Sequence, residues 1–154
     1  MLKTKFLLVL FLLVGAFSSC KKELSPEKQA AKDNSLIVDF VAKNSILATK
    51  HSSGIYYQVI TPGTGPLVSV NNTVYVNYEG KLLNGSTFDK SSSTVNFLLS
   101  GVIAGWQIGI PLIKKGGKIR LIIPSGLAYA NRSPSAAIPK NSVLDFTVEL
   151  IDVR

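Results

Sequence analysis

The chain has 154 residues, room for one domain and a short extension. Hydrophobic residues make up 46% and charged residues 17%, a balance that supports a core and argues against global disorder. Lys and Arg number 17 against 9 Asp and Glu, but the excess forms no Arg-rich stripe, so nucleic acid is not an indicated partner. A single Cys and a single His exclude an internal disulfide framework and a His/Cys metal cage.

Lys3 and Lys5 open the chain with positive charge, and Phe6 to Phe17 follows as an uncharged apolar run. A bilayer span takes about 20 apolar residues, so this run is too short and matches the core of a secretory signal peptide. Ser18 and Ser19 come next, then Cys20, the sole thiol. The stretch resembles the lipobox of bacterial lipoproteins, with Phe17 where Leu is most common. That resemblance implies a signal peptide over 1–19, cleavage before Cys20, acylation of its sulfur and new amino group, and a lipid anchor in a membrane of the cell envelope. The plainer alternative is an ordinary cleavable signal with an incidental Cys.

Lys21 to Lys32 is polar, contains Pro26 and lacks a core pattern, which reads as a flexible tether. Asp33, Asn34 or Ser35 can cap a helix that Leu36, Ile37, Phe40 and Val41 predict over about 35–44. Its apolar face needs cover from the following domain or from a second copy. Tether and helix together make a segment over 20–52, ahead of a domain over 53–154. His51 stands in a polar stretch with no acid or nucleophile near it, which marks a surface residue.

From Gly54 onward short strands and turns dominate. Ile55 to Ile60 is β-rich, and Thr73 to Tyr78 alternates. Asn84-Gly85 predicts a tight turn between Lys81-Leu82-Leu83 and Ser86-Thr87-Phe88. Val95 to Leu99 predicts another strand. Ala104 to Ile110 predicts a short helix, which Gly109 weakens and Pro111 ends. Ile119 to Ile123 reads as a strand, 125–141 as a long loop. Val143 to Val153 reads as a strand with Leu144, Phe146, Val148, Leu150 and Asp152 on one face. The pattern is α+β with a mainly antiparallel sheet.

No nucleophile elbow, phosphate-binding loop or zinc-protease motif occurs, and Glu79 and Asp89 stand too far apart in sequence to suggest a carboxylate pair. The remaining resource is aromatic: Tyr78, Phe88, Phe97, Trp106, Tyr129 and Phe146, spread over separate elements. Taken singly, each of these is most simply a core residue.

Their contexts say more. Val76-Asn77-Tyr78-Glu79-Gly80, Asn84 to Asp89, Phe97-Leu98-Leu99 and Val102 to Trp106 follow in order. Gly116-Gly117-Lys118, Ile123-Pro124, Leu127-Ala128-Tyr129, Ile138-Pro139 and Leu144 to Leu150 complete the series. This succession resembles the FKBP family of peptidyl-prolyl cis-trans isomerases from about Gly54 to Arg154. The resemblance implies a twisted antiparallel sheet wrapped around a short helix and a pocket for proline peptides. Trp106 would form its floor. Tyr78, Phe88, Phe97, Val102, Ile103, Ile138 and Phe146 would line its walls. Asp89 would be its polar group, and Tyr129 would offer its hydroxyl to the peptide carbonyl. No cofactor or metal is implied. The implied partners are proline-containing peptides and unfolded exported proteins.

The chain departs from the family in places. Ala130 stands where a Gly is frequent, which points to a positive φ. The Lys90–Thr94 loop lacks the Arg that many members place near Asp89, Val95 stands where some members carry another pocket aromatic, and 131–137 is shaped differently. Two functions remain open on the sequence: an isomerase of exported proteins, or a binding or chaperone module that grips through the same pocket without turnover.

Overall fold

Ser25 and Pro26 begin the first helix in the structure, a computed structural model that describes residues 23–154. The signal peptide and Cys20 lie outside the described residues. Helix α1 runs over Pro26–Lys43. The Ser25 hydroxyl accepts the Lys28 N–H at 3.4 Å, Pro26 occupies the first turn where no N–H is needed, and Glu27 complements the helix dipole. Residues 26–32 are therefore helical rather than a tether. They lack an apolar stripe, but Lys28, Gln29, Ala30, Ala31 and Lys32 are strong helix formers. The cap expected at 33–35 is displaced in consequence. Asp33 and Asn34 lie in mid-helix and bond across to other elements: Asn34 Oδ1 accepts from Lys50 Nζ at 2.7 Å and from the Tyr56 hydroxyl at 3.0 Å. Ser45, in the left-handed region at φ 52°, turns the chain out of the helix.

Seven strands follow: β1 (Thr49–Lys50), β2 (Tyr56–Thr61), β3 (Thr73–Leu82), β4 (Thr87–Lys90), β5 (Val95–Leu98), β6 (Lys118–Ile123) and β7 (Leu144–Val153). They form one sheet in the order β1-β2-β6-β7-β3-β4, with β5 also paired to β3, and every pairing is antiparallel. The tight turn at Gly85 forms with φ 89° and links β3 to β4. Strand β1 has no sequence counterpart, since two residues carry no period.

Helix α2 (Ala104–Gly109) packs on one face of the sheet and passes into a 3-10 turn over Ile110–Leu112. Gly109 is required by close approach: a Cβ there would meet Leu121 Cδ2 at 2.5 Å. The small residue that weakens the helix thus lets it lie flush on β6. Between α2 and the sheet lies the main core, including Val74, Ile110, Ile119, Leu121 and Leu150.

The opposite face carries a second layer. Ile37, fully buried, packs with Phe40 and Val41 of α1 against Tyr56, Ile122 and Val143. Sealing Ile37 from water is worth about 1.5–3 kcal/mol. Cover for Ile37, Phe40 and Val41 therefore comes from the same chain, whereas Leu36, expected on the same stripe, faces outward and stays 42% exposed. Beneath it, Arg120 forms a bidentate pair with Asp145 at 2.9 and 2.7 Å, and its guanidinium lies 5.8 Å from the Phe40 ring.

Strand β7 departs from strict alternation. Tyr75 pairs with Asp152 but Val76 pairs with Leu150, so a bulge falls at Ile151. The bulge turns Val153 to the core and Asp152 outward, where it meets Lys115 Nζ at 2.6 Å. The lysine beside Asp152 holds its carboxyl below the usual range.

Candidate functional site

Trp106 sits in the first turns of α2, with Ile103 as N-cap and a 2.9 Å bond from its own N–H to Ile103 O. Aromatic rings surround its indole edge-on. Tyr78 of β3 and Phe146 of β7 each lie 5.3 Å away, and Phe97 of β5 lies 5.8 Å away. Phe88 of β4 extends the cluster by an edge contact of 5.4 Å with Phe146. Such tilted pairs are favoured by ring quadrupoles and contribute about 0.5–1.5 kcal/mol each beyond area burial. Gly80 makes room for the arrangement: a Cβ there would strike the Phe88 ring at 2.6 Å and the Phe146 ring at 2.7 Å.

The sequence separates these rings by up to sixty-eight positions, from Tyr78 to Phe146 (146 − 78 = 68). The register brings them together. Tyr78 pairs with Val148 and Gly80 with Phe146 on β3 and β7, while Val74 pairs with Phe97. Val102, Ile103, Ile138 and Tyr129 pack into the same apolar cluster, with Ile138 buried and the others half-buried. Gln107 donates to Val102 O at 2.8 Å and to Ser100 O at 3.2 Å, fixing the segment before α2. The 131–137 loop is also ordered by a side chain. Ser133 Oγ donates to Ile138 O at 2.7 Å, and its second short contact is 2.9 Å to Ser135 O.

Polar groups are few. The Trp106 Nε1–H is buried and has no acceptor among the described residues. The Tyr78 hydroxyl donates to Asp89 Oδ2 at 2.6 Å. Burial, first, and then that bond push the Tyr78 phenol up to about 12, so it stays a neutral donor across the physiological range. The neighbouring Tyr129 phenol acts in the same direction. Among the described residues no cation pairs with Asp89, in line with the missing Arg in the Lys90–Thr94 loop. That loop is tied back instead, since Tyr78 N–H donates to Ser91 Oγ at 2.9 Å and Ser91 N–H to Tyr78 O at 3.0 Å.

Ala130 has φ 52°, the conformation its position implied. It is held from both sides: its N–H donates to Ser125 O at 2.8 Å, and its carbonyl accepts the Asn141 N–H at 2.7 Å. His51 lies away from the cluster. Its Nδ1 accepts the Ser53 N–H at 3.1 Å and lies 2.9 Å from Ser53 Oγ, a turn cap. Sequence reasoning missed Gln107, Ser91, Ser125 and Asp33. Each acts through a hydrogen bond to a group outside its own helix or strand turn, and no local pattern announces such a tie.

The profile of the FKBP-type peptidyl-prolyl cis-trans isomerase family matches residues 65–151. The chain is similar to the FKBP-type peptidyl-prolyl cis-trans isomerase FkpA of Escherichia coli, 39% identical over 144 residues. That match covers 92% of this chain and 52% of the relative, so the chain spans about half the length of the curated protein it resembles. The crystal structure of FkpA from Escherichia coli superposes with a TM-score of 0.72 at 41% identity, covering 83% of this chain and 62% of that one. A peptidyl-prolyl cis-trans isomerase from Pseudomonas syringae pv. tomato gives 0.73 at 33% identity, covering 85% of this chain and 97% of that one. Among the described residues no helix is long and apolar enough to cross a membrane. With the aromatic cluster, the antiparallel sheet and these likenesses in agreement, the chain belongs to the FKBP-type peptidyl-prolyl cis-trans isomerase family.

Proposed function

We propose that the chain is a peptidyl-prolyl cis-trans isomerase that rotates X-Pro bonds in exported proteins, held at a membrane of the bacterial envelope by a lipid on Cys20. The observation that carries the catalytic reading is the indole of Trp106 framed edge-on by Tyr78, Phe97 and Phe146. Amide resonance sets a rotation barrier of about 18–20 kcal/mol, and X-Pro bonds populate both isomers. Twisting the bond removes the resonance and with it much of the charge separation of the amide. An apolar, water-poor wall disfavours the polar planar amide more than the twisted one, and so favours the transition state. Trp106 is the floor in this reading. Phe88, Val102, Ile103 and Ile138 complete the wall, and Tyr129 and Asp89 orient the peptide.

Rotation transfers no proton and forms no covalent bond, so the groups have only to bind, orient and exclude water. The neutral Tyr78 phenol suits this role: it fixes Asp89 by a 2.6 Å bond without placing a second charge at the rim. The export and anchor readings rest on Lys3, Lys5, the apolar run to Phe17 and the sole thiol. A protease-coupled or direct isomerisation assay on a proline tetrapeptide tests the activity. Acceleration by the full chain is expected. Binding without acceleration would overturn the enzyme in favour of a binding module.

A further inference from the structure

Asp33 is a carboxylate buried to 1% exposure on α1, a helix that lies wholly before the matched family region of 65–151. Its Oδ2 accepts two bonds from one residue, the Ser125 N–H at 2.8 Å and the Ser125 hydroxyl at 2.6 Å. Its Oδ1 accepts from Gln29 Nε2 at 2.7 Å. Among the described residues no cation pairs with it. A buried carboxylate without a cation is costly unless hydrogen bonds satisfy it, and here three do.

Ser125 is where the strand β6 gives way to the loop that bears Tyr129 and Ile138. Its own carbonyl accepts the N–H groups of Ala128 at 3.0 Å and Ala130 at 2.8 Å, on either side of Tyr129. Ala130 in turn accepts from Asn141 at 2.7 Å. The hydrogen-bond chain thus runs from Asp33 through Ser125 to the residues flanking Tyr129. Among the described residues these two bonds are the only ones between α1 and this loop, and a cleft of about 880 Å³ opens beside them. Ala130 holds a φ of 52°, a strained state for a residue with a Cβ, which persists only where neighbours over-determine it. The anchor at Ser125 is one of the two that do so.

We propose that Asp33 is a positioning residue of the prolyl site: through Ser125 it holds the loop that carries Tyr129, and so sets the affinity of the aromatic pocket for proline peptides. The proposal rests on the reading of Tyr129 as a pocket group. It makes the N-terminal helix part of the binding apparatus rather than a spacer. Asp33→Asn is the informative change, because an amide keeps one acceptor and turns a donor toward Ser125 or Gln29.

The experiment uses the full chain and a proline tetrapeptide. Binding is followed by Trp106 fluorescence and by calorimetry, turnover by isomerisation, and loop order by backbone amide exchange. In Asp33→Asn the Kd and KM should rise together by about three- to tenfold, the scale of one hydrogen bond, with kcat nearly unchanged. Exchange at Ala130 and Asn141 should speed up while Leu121 and Val148 stay protected. In a Tyr129→Phe background the same substitution should cost under about twofold, because the group it positions is gone. Ser125→Ala keeps the backbone bond and should give a smaller loss of the same kind; it carries the test if Asp33→Asn does not fold. An unchanged Kd overturns the proposal, as does an equal loss with and without the Tyr129 hydroxyl, which would mark general destabilisation. A wild type that binds the peptide without accelerating isomerisation removes the enzyme reading, and the role of Asp33 is still decided by Kd. A wild type that binds no proline peptide overturns both.

Discussion

The Tyr78 hydroxyl and the Asp89 carboxylate meet at 2.6 Å across the β3–β4 ladder, and the bond joins an apolar wall to an exposed rim. Gly80 pairs with Asp89 in that ladder, so the two side chains sit on neighbouring strands of one face. The phenol is raised from 10.0 to about 12, by burial first and by the bond to Asp89 second.

That shift has a consequence at alkaline pH. A phenol whose folded value exceeds its unfolded one adds stability below about 10 that is lost as pH rises toward about 12. Wild type should therefore lose stability faster than Tyr78→Phe between those limits. Every other titratable group is common to both proteins, so the difference between the two denaturation midpoints isolates Tyr78. Parallel curves would show that its phenol is not perturbed.

Ala130 adopts φ 52°, where a Cβ is strained and a glycine is not. Ala130→Gly should stabilise the fold by about 1 kcal/mol despite the larger unfolded-state entropy of glycine. Urea denaturation measures the change. A loss of stability would mean that the two bonds to Ser125 and Asn141 relieve the strain completely.

The pocket mechanism ranks its residues. Tyr129→Phe should cost roughly 0.5–1.5 kcal/mol of transition-state binding, at most about tenfold in kcat/KM. Phe146→Ala should cost more, since it opens a cavity beside Trp106 and admits water, with a stability loss of about 3–5 kcal/mol. The rate should be flat around neutral pH in wild type and in His51→Ala alike, because His51 only caps a turn. A bell-shaped profile that disappears in His51→Ala would replace the pocket mechanism with acid–base catalysis.

Cys20 is the only thiol in the chain. Cys20→Ser should abolish incorporation of labelled fatty acid and shift the protein from the membrane to the soluble fraction. Several acyl chains, each contributing about 0.8 kcal/mol per buried CH₂, anchor where a bare signal remnant does not. Full membrane retention of the Ser variant would remove the lipoprotein reading.

The longer strands were legible because their signals are local, while the two-residue β1 was not. Thr73 to Tyr78 and Leu144 to Leu150 alternate with period two, and Asn84-Gly85 marks its turn without reference to anything distant. The pocket residues were legible in a different way, as short segments in a recurring order; the rings themselves carry no such mark.

The sequence by itself determined the α+β pattern and the short helix that carries Trp106, and its family resemblance implied the positive φ at Ala130. Only the tertiary structure decided three other features. Residues 26–32 form a settled helix because the later turns of α1 dock on Tyr56 and Ile122; the polar stretch shows no hydrophobic period of its own. Asp152 faces outward because a bulge at Ile151 changes the register, and registers depend on the partner strand. Asp33 meets Ser125 across ninety-two positions (125 − 33 = 92) because two layers stack on the same sheet. A single carboxylate within a helix resembles any solvated acid until the fold supplies its donors.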